Sequence, residues 1–156
     1  MKDKDSMVRV RVVRALGALP DKSAVPALLK ILEKGTDSQV RRFAAVALGN
    51  IGDKAAVPAL IKLLKAKDEG RSMVGGRDRY VITDALGKIG KPSIPALLDA
   101  LKDKRDFVRE RATLALGKTR LEEVVPTLIK VLENDVKHVR EQAARGLGYI
   151  GSKSAV

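Results

Sequence analysis

The triplet Ala-Leu-Gly returns four times in 156 residues, and that recurrence restricts the chain to very few folds. It stands at Ala15-Leu16-Gly17, Ala47-Leu48-Gly49, Ala85-Leu86-Gly87 and Ala115-Leu116-Gly117, with Gly146-Leu147-Gly148 as a variant fifth copy. The closing glycines are 32, 38, 30 and 31 residues apart. Nine residues before four of them stands a valine followed by arginine: Val8-Arg9, Val40-Arg41, Val108-Arg109 and Val139-Arg140. The third copy has Asp78 in place of valine and keeps its arginine as Arg79. Pro26, Pro58, Pro95 and Pro126 follow the first four glycines by eight or nine residues, each preceded by Val or Ile and followed by a Leu/Ile-rich stretch. A repeat of this length marks an architecture in which each unit is one supersecondary element that buries its apolar faces only by stacking on its neighbours.

Each unit reads as two helices. Val8, Val12, Ala15, Leu16 and Leu19 recur at helical spacing on one face, as do Val40, Ala44, Ala47, Leu48 and Ile51 in the second copy. Asp37 and Ser38 can cap that helix, and Gly52 is placed to close it before Asp53. The second helix starts around Ala56-Val57-Pro58, since proline is tolerated in a first turn where its missing N–H has no intrahelical partner. Its apolar side is Val57, Leu60, Ile61, Leu63 and Leu64. The glycine of Ala-Leu-Gly is expected to permit close helix approach. No alternating strand pattern occurs.

Composition narrows the chemistry. With no cysteine there are no disulfides, thiolate chemistry or cysteine-held metals. One histidine, His138, rules out a two-histidine metal site within a chain, and its place before Val139 suits a surface or capping residue. Aromatics are only 3%, too few for the stacking platforms that grip bases or sugars. Glu122-Glu123 open a second helix, where the helix dipole favours acids. Asp78 and Asp84 do not have the i, i+4 spacing of a metal pair, and no nucleophile stands with a base. No cofactor is expected. The net charge of +12 attracts polyanions, yet it is dispersed along the chain as on many solvated helical surfaces. No apolar run approaches the ~18 to 20 residues that span a bilayer. The charged start Met1-Lys2-Asp3-Lys4-Asp5-Ser6 has no apolar signal core, so a cytoplasmic location is expected.

The pattern Val-Arg, then Ala-Leu-Gly-x-Ile-Gly-Asp, then Val-Pro-x-Leu resembles HEAT repeats, and more narrowly the short HEAT-like repeats named after phycobilisome lyases. The stretch Asn50-Ile51-Gly52-Asp53-Lys54-Ala55-Ala56-Val57-Pro58-Ala59-Leu60 is close to a consensus copy. The resemblance implies an all-α, right-handed α-solenoid of about five stacked helical hairpins, armadillo-like in architecture. The repeats fall at about 5–35, 36–68, 69–102, 103–133 and 134–156, the third carrying an insertion at 69–77 and the fifth incomplete. That fifth copy stops where a proline and a second helix should follow, so its apolar face is expected to be partly uncovered. The chain is then either a piece of a longer protein or covered there by dimerisation or a neighbouring chain. Related deoxyhypusine hydroxylases need paired His-Glu motifs for iron, which one histidine cannot supply. Aromatic-dependent HEAT-like DNA glycosylases are disfavoured by the absence of Trp, and nothing marks the chromophore site of a bilin lyase.

The resemblance further implies that the second helices line a concave face. Counting from each proline, Ala27, Ala59, Ala96 and Thr127 form a row of small residues, and Lys30, Lys62, Asp99 and Lys130 a mostly basic row beside it. Small side chains let a partner segment approach, and the lysines would meet its acidic groups. The alternative is two solvated rows, with alanine serving helix propensity. Arg9, Arg41, Arg79, Arg109 and Arg140 are expected to form a structural ladder, pairing with Asp or with carbonyl oxygens at helix ends. The insertion holds Arg71, Gly75, Gly76 and Arg77 and leads into Arg79, a set that suits an anion contact or a surface loop but lacks the ending of a phosphate loop. These features favour a protein-interaction scaffold. The alternatives are a binder of nucleic acid or another polyanion through a basic face, and a non-catalytic part of a heteromeric lyase.

Overall fold

The computed structural model describes residues 2–19, 21–35, 37–67 and 78–154. Among them are nine α-helices and four one-turn 3-10 helices, with no strand. Five helices carry the Val-Arg and Ala-Leu-Gly landmarks: α1 (Lys2–Ala18), α3 (Ser38–Ile51), α5 (Asp78–Ile89), α7 (Asp106–Thr119) and α9 (Lys137–Ser154). The proline helices alternate with them: α2 (Val25–Lys34), α4 (Val57–Leu64), α6 (Ile94–Ala100) and α8 (Val125–Asn134). The result is an all-α solenoid. None of its helices, among the described residues, is long and apolar enough to cross a membrane.

Local chemistry sets the boundaries. Asp37 caps α3 by accepting the Gln39 and Val40 amides at 2.8 and 3.3 Å. Gly52 then ends that helix in the left-handed region at φ 71°, a conformation open to glycine without a Cβ penalty. A turn of 3-10 helix precedes every second helix, so the chain coils one residue group earlier than the proline alone indicates. Asp21 and Asp53 start two of these turns by accepting the Ser23 and Ala55 amides, each at 2.8 Å.

The two helix sets form two layers. In the first, α1, α3, α5, α7 and α9 lie side by side with their backbones in close approach. A Cβ placed on Gly17 would lie 2.5 Å from the Ala47 Cβ, one on Gly49 2.6 Å from the Ala85 Cα, and one on Gly117 2.3 Å from the Gly146 Cα. These glycines are therefore contact points, where any side chain would push the next helix away. In the second layer the helices α2, α4, α6 and α8 stand further apart.

A second helix packs mainly on the first helix that follows it: α2 on α3, α4 on α5, α6 on α7 and α8 on α9. Leu28 and Leu32 of α2, Leu60 and Leu64 of α4, and Leu128 of α8 are fully buried at these junctions. This phase bears on one sequence expectation. On the last helix, α9, the neighbours α7 and α8 cover Val139, Ala143 and Ile150. The rest of its described surface exposes Lys137, His138, Arg140, Glu141 and Arg145, and it is partly apolar, with Ala144 exposed and Leu147 half-buried beside a pocket lined by Val125, Pro126 and Ile150. The larger bare apolar surface is at the other end, on α1, where Met7, Val8, Val12 and Leu19 are exposed.

Candidate functional site

Both rows counted from the prolines are accessible. Ala27, Lys30, Lys62, Asp99 and Lys130 are exposed, and Ala59, Ala96 and Thr127 are half-buried. The prolines fix the helical phase, so the leucines between these positions turn inward while the rows stay in solvent. The basic row is interrupted at Asp99, whose carboxylate lies 3.7 Å from Lys65 and 3.8 Å from Lys102. Between α6 and α8 the layer opens into a groove of about 410 Å³. Leu98, Leu101 and Val131 give it apolar walls, and Thr127 and Lys130 of the two rows sit on its edge with Lys102 and Asp135. Leu98, Ile129 and Leu132 on this layer remain exposed.

The arginine ladder is structural wherever its partners are described. Arg109 grips Asp135 through Nη2 at 2.8 Å and Nε at 2.9 Å, and donates to the Asp103 and Lys104 carbonyls at 3.0 and 3.1 Å. That hydrogen bonding outweighs burial and holds the Asp135 carboxyl below the usual carboxylate range. Arg41 donates in the same way to the Gly35 carbonyl at the end of α2. Arg9 and Arg140 are exposed. Arg71, Gly75, Gly76 and Arg77 lie outside the described residues; Arg79 falls in α5, with its side chain outside them.

Two further arginines do structural work that the repeat pattern did not single out. Arg111 is buried and donates to the Leu64 and Ala66 carbonyls at 2.9 and 2.8 Å, while Arg105 reaches the Lys65 carbonyl at 3.0 Å. Together they tie up the C-terminal carbonyls of α4, where the helix dipole favours cations. Arg105 also forks onto Asp103 with two bonds of 2.8 Å, which pulls that carboxyl far below its ordinary range. The only signal for them in the sequence is the Arg-rich run from Arg105 to Arg111, which charge alone does not separate from a solvated face.

The first-helix layer carries a polar ladder of its own. Asn50 Nδ2 lies 3.5 Å from the Gly17 carbonyl, Lys88 Nζ donates to Asn50 Oδ1 at 2.7 Å, and Lys118 pairs with Asp84. Asp84, Lys88, Lys118, Arg120 and Tyr149 surround a cleft of about 480 Å³. Its charges are mixed, with Lys118 paired to Asp84 and Lys88 bonded to Asn50. Among the described residues no three His, Cys, Asp or Glu side chains gather as metal ligands. His138 stands exposed, 3.7 Å from Asp106.

A family model described as HEAT repeats matches residues 1–74 and 77–148. Among solved structures, the chain is similar to the complex of CpcE and CpcF of phycocyanin lyase from Nostoc sp. PCC7120, at 35% identity and a TM-score of 0.51. That match covers 91% of this chain and 56% of the lyase chain, so the protein spans little more than half the length of that relative. Human deoxyhypusine hydroxylase in complex with glycerol is more distant, at 22% identity and a TM-score of 0.41 over 95% of this chain and 70% of that one. A search of curated proteins finds no match.

Proposed function

The chain belongs to the HEAT-repeat family, and we propose that it is a non-catalytic scaffold that docks a protein partner on its second-helix layer. The observation that carries this is the groove between α6 and α8, where Thr127 and Lys130 meet the exposed Leu98. Apolar walls with a few cations at the rim suit an amphipathic segment that brings acidic side chains. The ion pairs Lys65–Asp99, Lys91–Glu123 and Lys118–Asp84 mix the surface charge, which favours a protein partner over a continuous polyanion.

The test is capture from a lysate of the native source with wild type and with a variant carrying Lys30→Glu, Lys62→Glu and Lys130→Glu. A defined partner retained by wild type and lost by the folded variant is expected. Equal retention would remove the second-helix layer from consideration. Loss of binding in moderate salt, with nucleic acid in the captured fraction, would favour the polyanion alternative. The likeness to the phycocyanin lyase complex supports a second role, as a non-catalytic part of a heteromeric lyase-type assembly. A stable heterodimer with a second HEAT-like chain, seen by native mass spectrometry, is the outcome that role requires.

A further inference from the structure

Copies in a solenoid touch their nearest neighbours, so stability passes along the stack one junction at a time. One set of bonds in this chain crosses that limit. The last carbonyls of α4, in the second copy, are met by side chains of α7 and its N-cap, in the fourth. Arg111 Nη1 donates to the Leu64 and Ala66 carbonyls, and Arg105 Nη1 to the Lys65 carbonyl between them. These partners lie 40 to 47 residues apart, with the whole of α5 and α6 between them in the chain. The last carbonyls of a helix have no intrahelical N–H to accept, and here three in a row are taken by guanidinium groups.

Both guanidiniums are also held from their own side. The Phe107 ring has Arg111 at 4.9 Å and Arg105 at 5.4 Å from its centroid, and Asp103 forks onto Arg105. Arg111 is buried, so losing the α4 carbonyls would strand a charge in the core. The bonds are particular to α7 and are no part of the repeat. Arg111 stands three residues after Val108, and the same place in the other copies holds Arg11, Phe43, Val81 and Gln142. Gln142 is buried as Arg111 is, yet its Oε1 meets no donor among the described residues. We propose that Arg105 and Arg111 are a strap across the third copy, locking the second copy to the fourth so that copies two to four open as one unit instead of junction by junction. The strap holds whether or not the groove between α6 and α8 docks a partner.

Amide hydrogen exchange in rising urea, kept below the unfolding transition, tests this on the whole chain. In wild type the slow amides of α4, α5 and α7 should converge on one opening reaction with one urea dependence. In the double variant Arg105→Gln with Arg111→Met, where Met keeps the apolar stem, α4 should exchange at least about tenfold faster than α7, because its copy now opens separately. Val40→Ala, a packing change inside the second copy, separates coupling from simple loss of stability. It should speed α4 and α7 by the same factor in the wild-type background, and α4 alone in the double variant. Separate opening of α4 and α7 in wild type, or convergence retained in the double variant, would overturn the strap. Should the double variant lose its helical circular dichroism, Val40→Ala in the wild-type background decides: an effect on α4 that does not reach α7 refutes it.

Discussion

Val40 and Val8 hold the same place in successive copies, yet one is 4% exposed and the other 59%. The difference does not arise within the copy, since both valines precede Arg and the same Ala-Leu-Gly triplet. It arises from the element before. A first helix is buried mainly by the preceding proline helix and by its neighbouring first helices, and much less by the helix that follows it in its own copy. The energetic unit of this solenoid is therefore half a repeat out of phase with the landmarks that reveal it, and the larger bare apolar surface is on α1.

The comparison breaks most forcefully at the glycine contacts. Gly117→Val would drive side-chain atoms into the Gly146 backbone, and we expect it to cost about 3 kcal/mol in urea unfolding. Gly148 holds the same place in the last copy with nothing within 4 Å of its Cβ direction. There Gly148→Ala should instead gain up to about 1 kcal/mol through helix propensity. If both changes cost alike, close helix approach is not the reason for the repeated glycine. Next come the valines. Val40→Ala should cost about 2 kcal/mol by emptying a packed site, whereas Val8→Ala should stay within about 0.5 kcal/mol.

The arginines sharpen the same contrast. Arg109→Gln leaves Asp135 without its fork and should cost about 1 to 2 kcal/mol, while Arg9→Gln on the bare helix should change little. Asp135 is held below its unfolded pKa by Arg109. Its contribution is therefore present above the unfolded value, about 4, and is lost as pH falls through the lower folded value. Thermal unfolding followed from pH 6 down to pH 2 should show that acid-side loss reduced in Arg109→Gln. The last contrast is among the helix ends, at Arg120. It closes α7 at φ 53°, where Gly52 and Gly90 close α3 and α5 at 71° and 72°. Arg120→Gly should raise stability by about 1 kcal/mol, and a decrease would show that the arginine side chain contributes more than the strained backbone costs.

Much of the fold was legible because five matched landmarks recur with one helical phase. The caps at Asp37 and Gly52, the proline in the first turn of each second helix, and the close approach at Gly17, Gly49 and Gly117 all follow from residue chemistry at a known register. The bare face of α1 was missed for a physical reason. Periodicity gives the order of the helices and is blind to whether a proline helix packs on the first helix before it or after it. The exposure of Lys30, Lys62 and Lys130 was legible from the proline phase, whereas the groove at Leu98 depends on the spacing of α6 and α8, which no single helix encodes.

Native-state hydrogen exchange, resolved helix by helix, tests the half-repeat phase most directly. Amides of α9, covered by α7 and α8, should be protected to a degree comparable with those of α7, and those of α1 should exchange markedly faster than those of α3. Fast exchange in α9 together with α1 as protected as α3 would mean that each first helix is buried by the second helix of its own copy, and the phase described for this stack would be wrong.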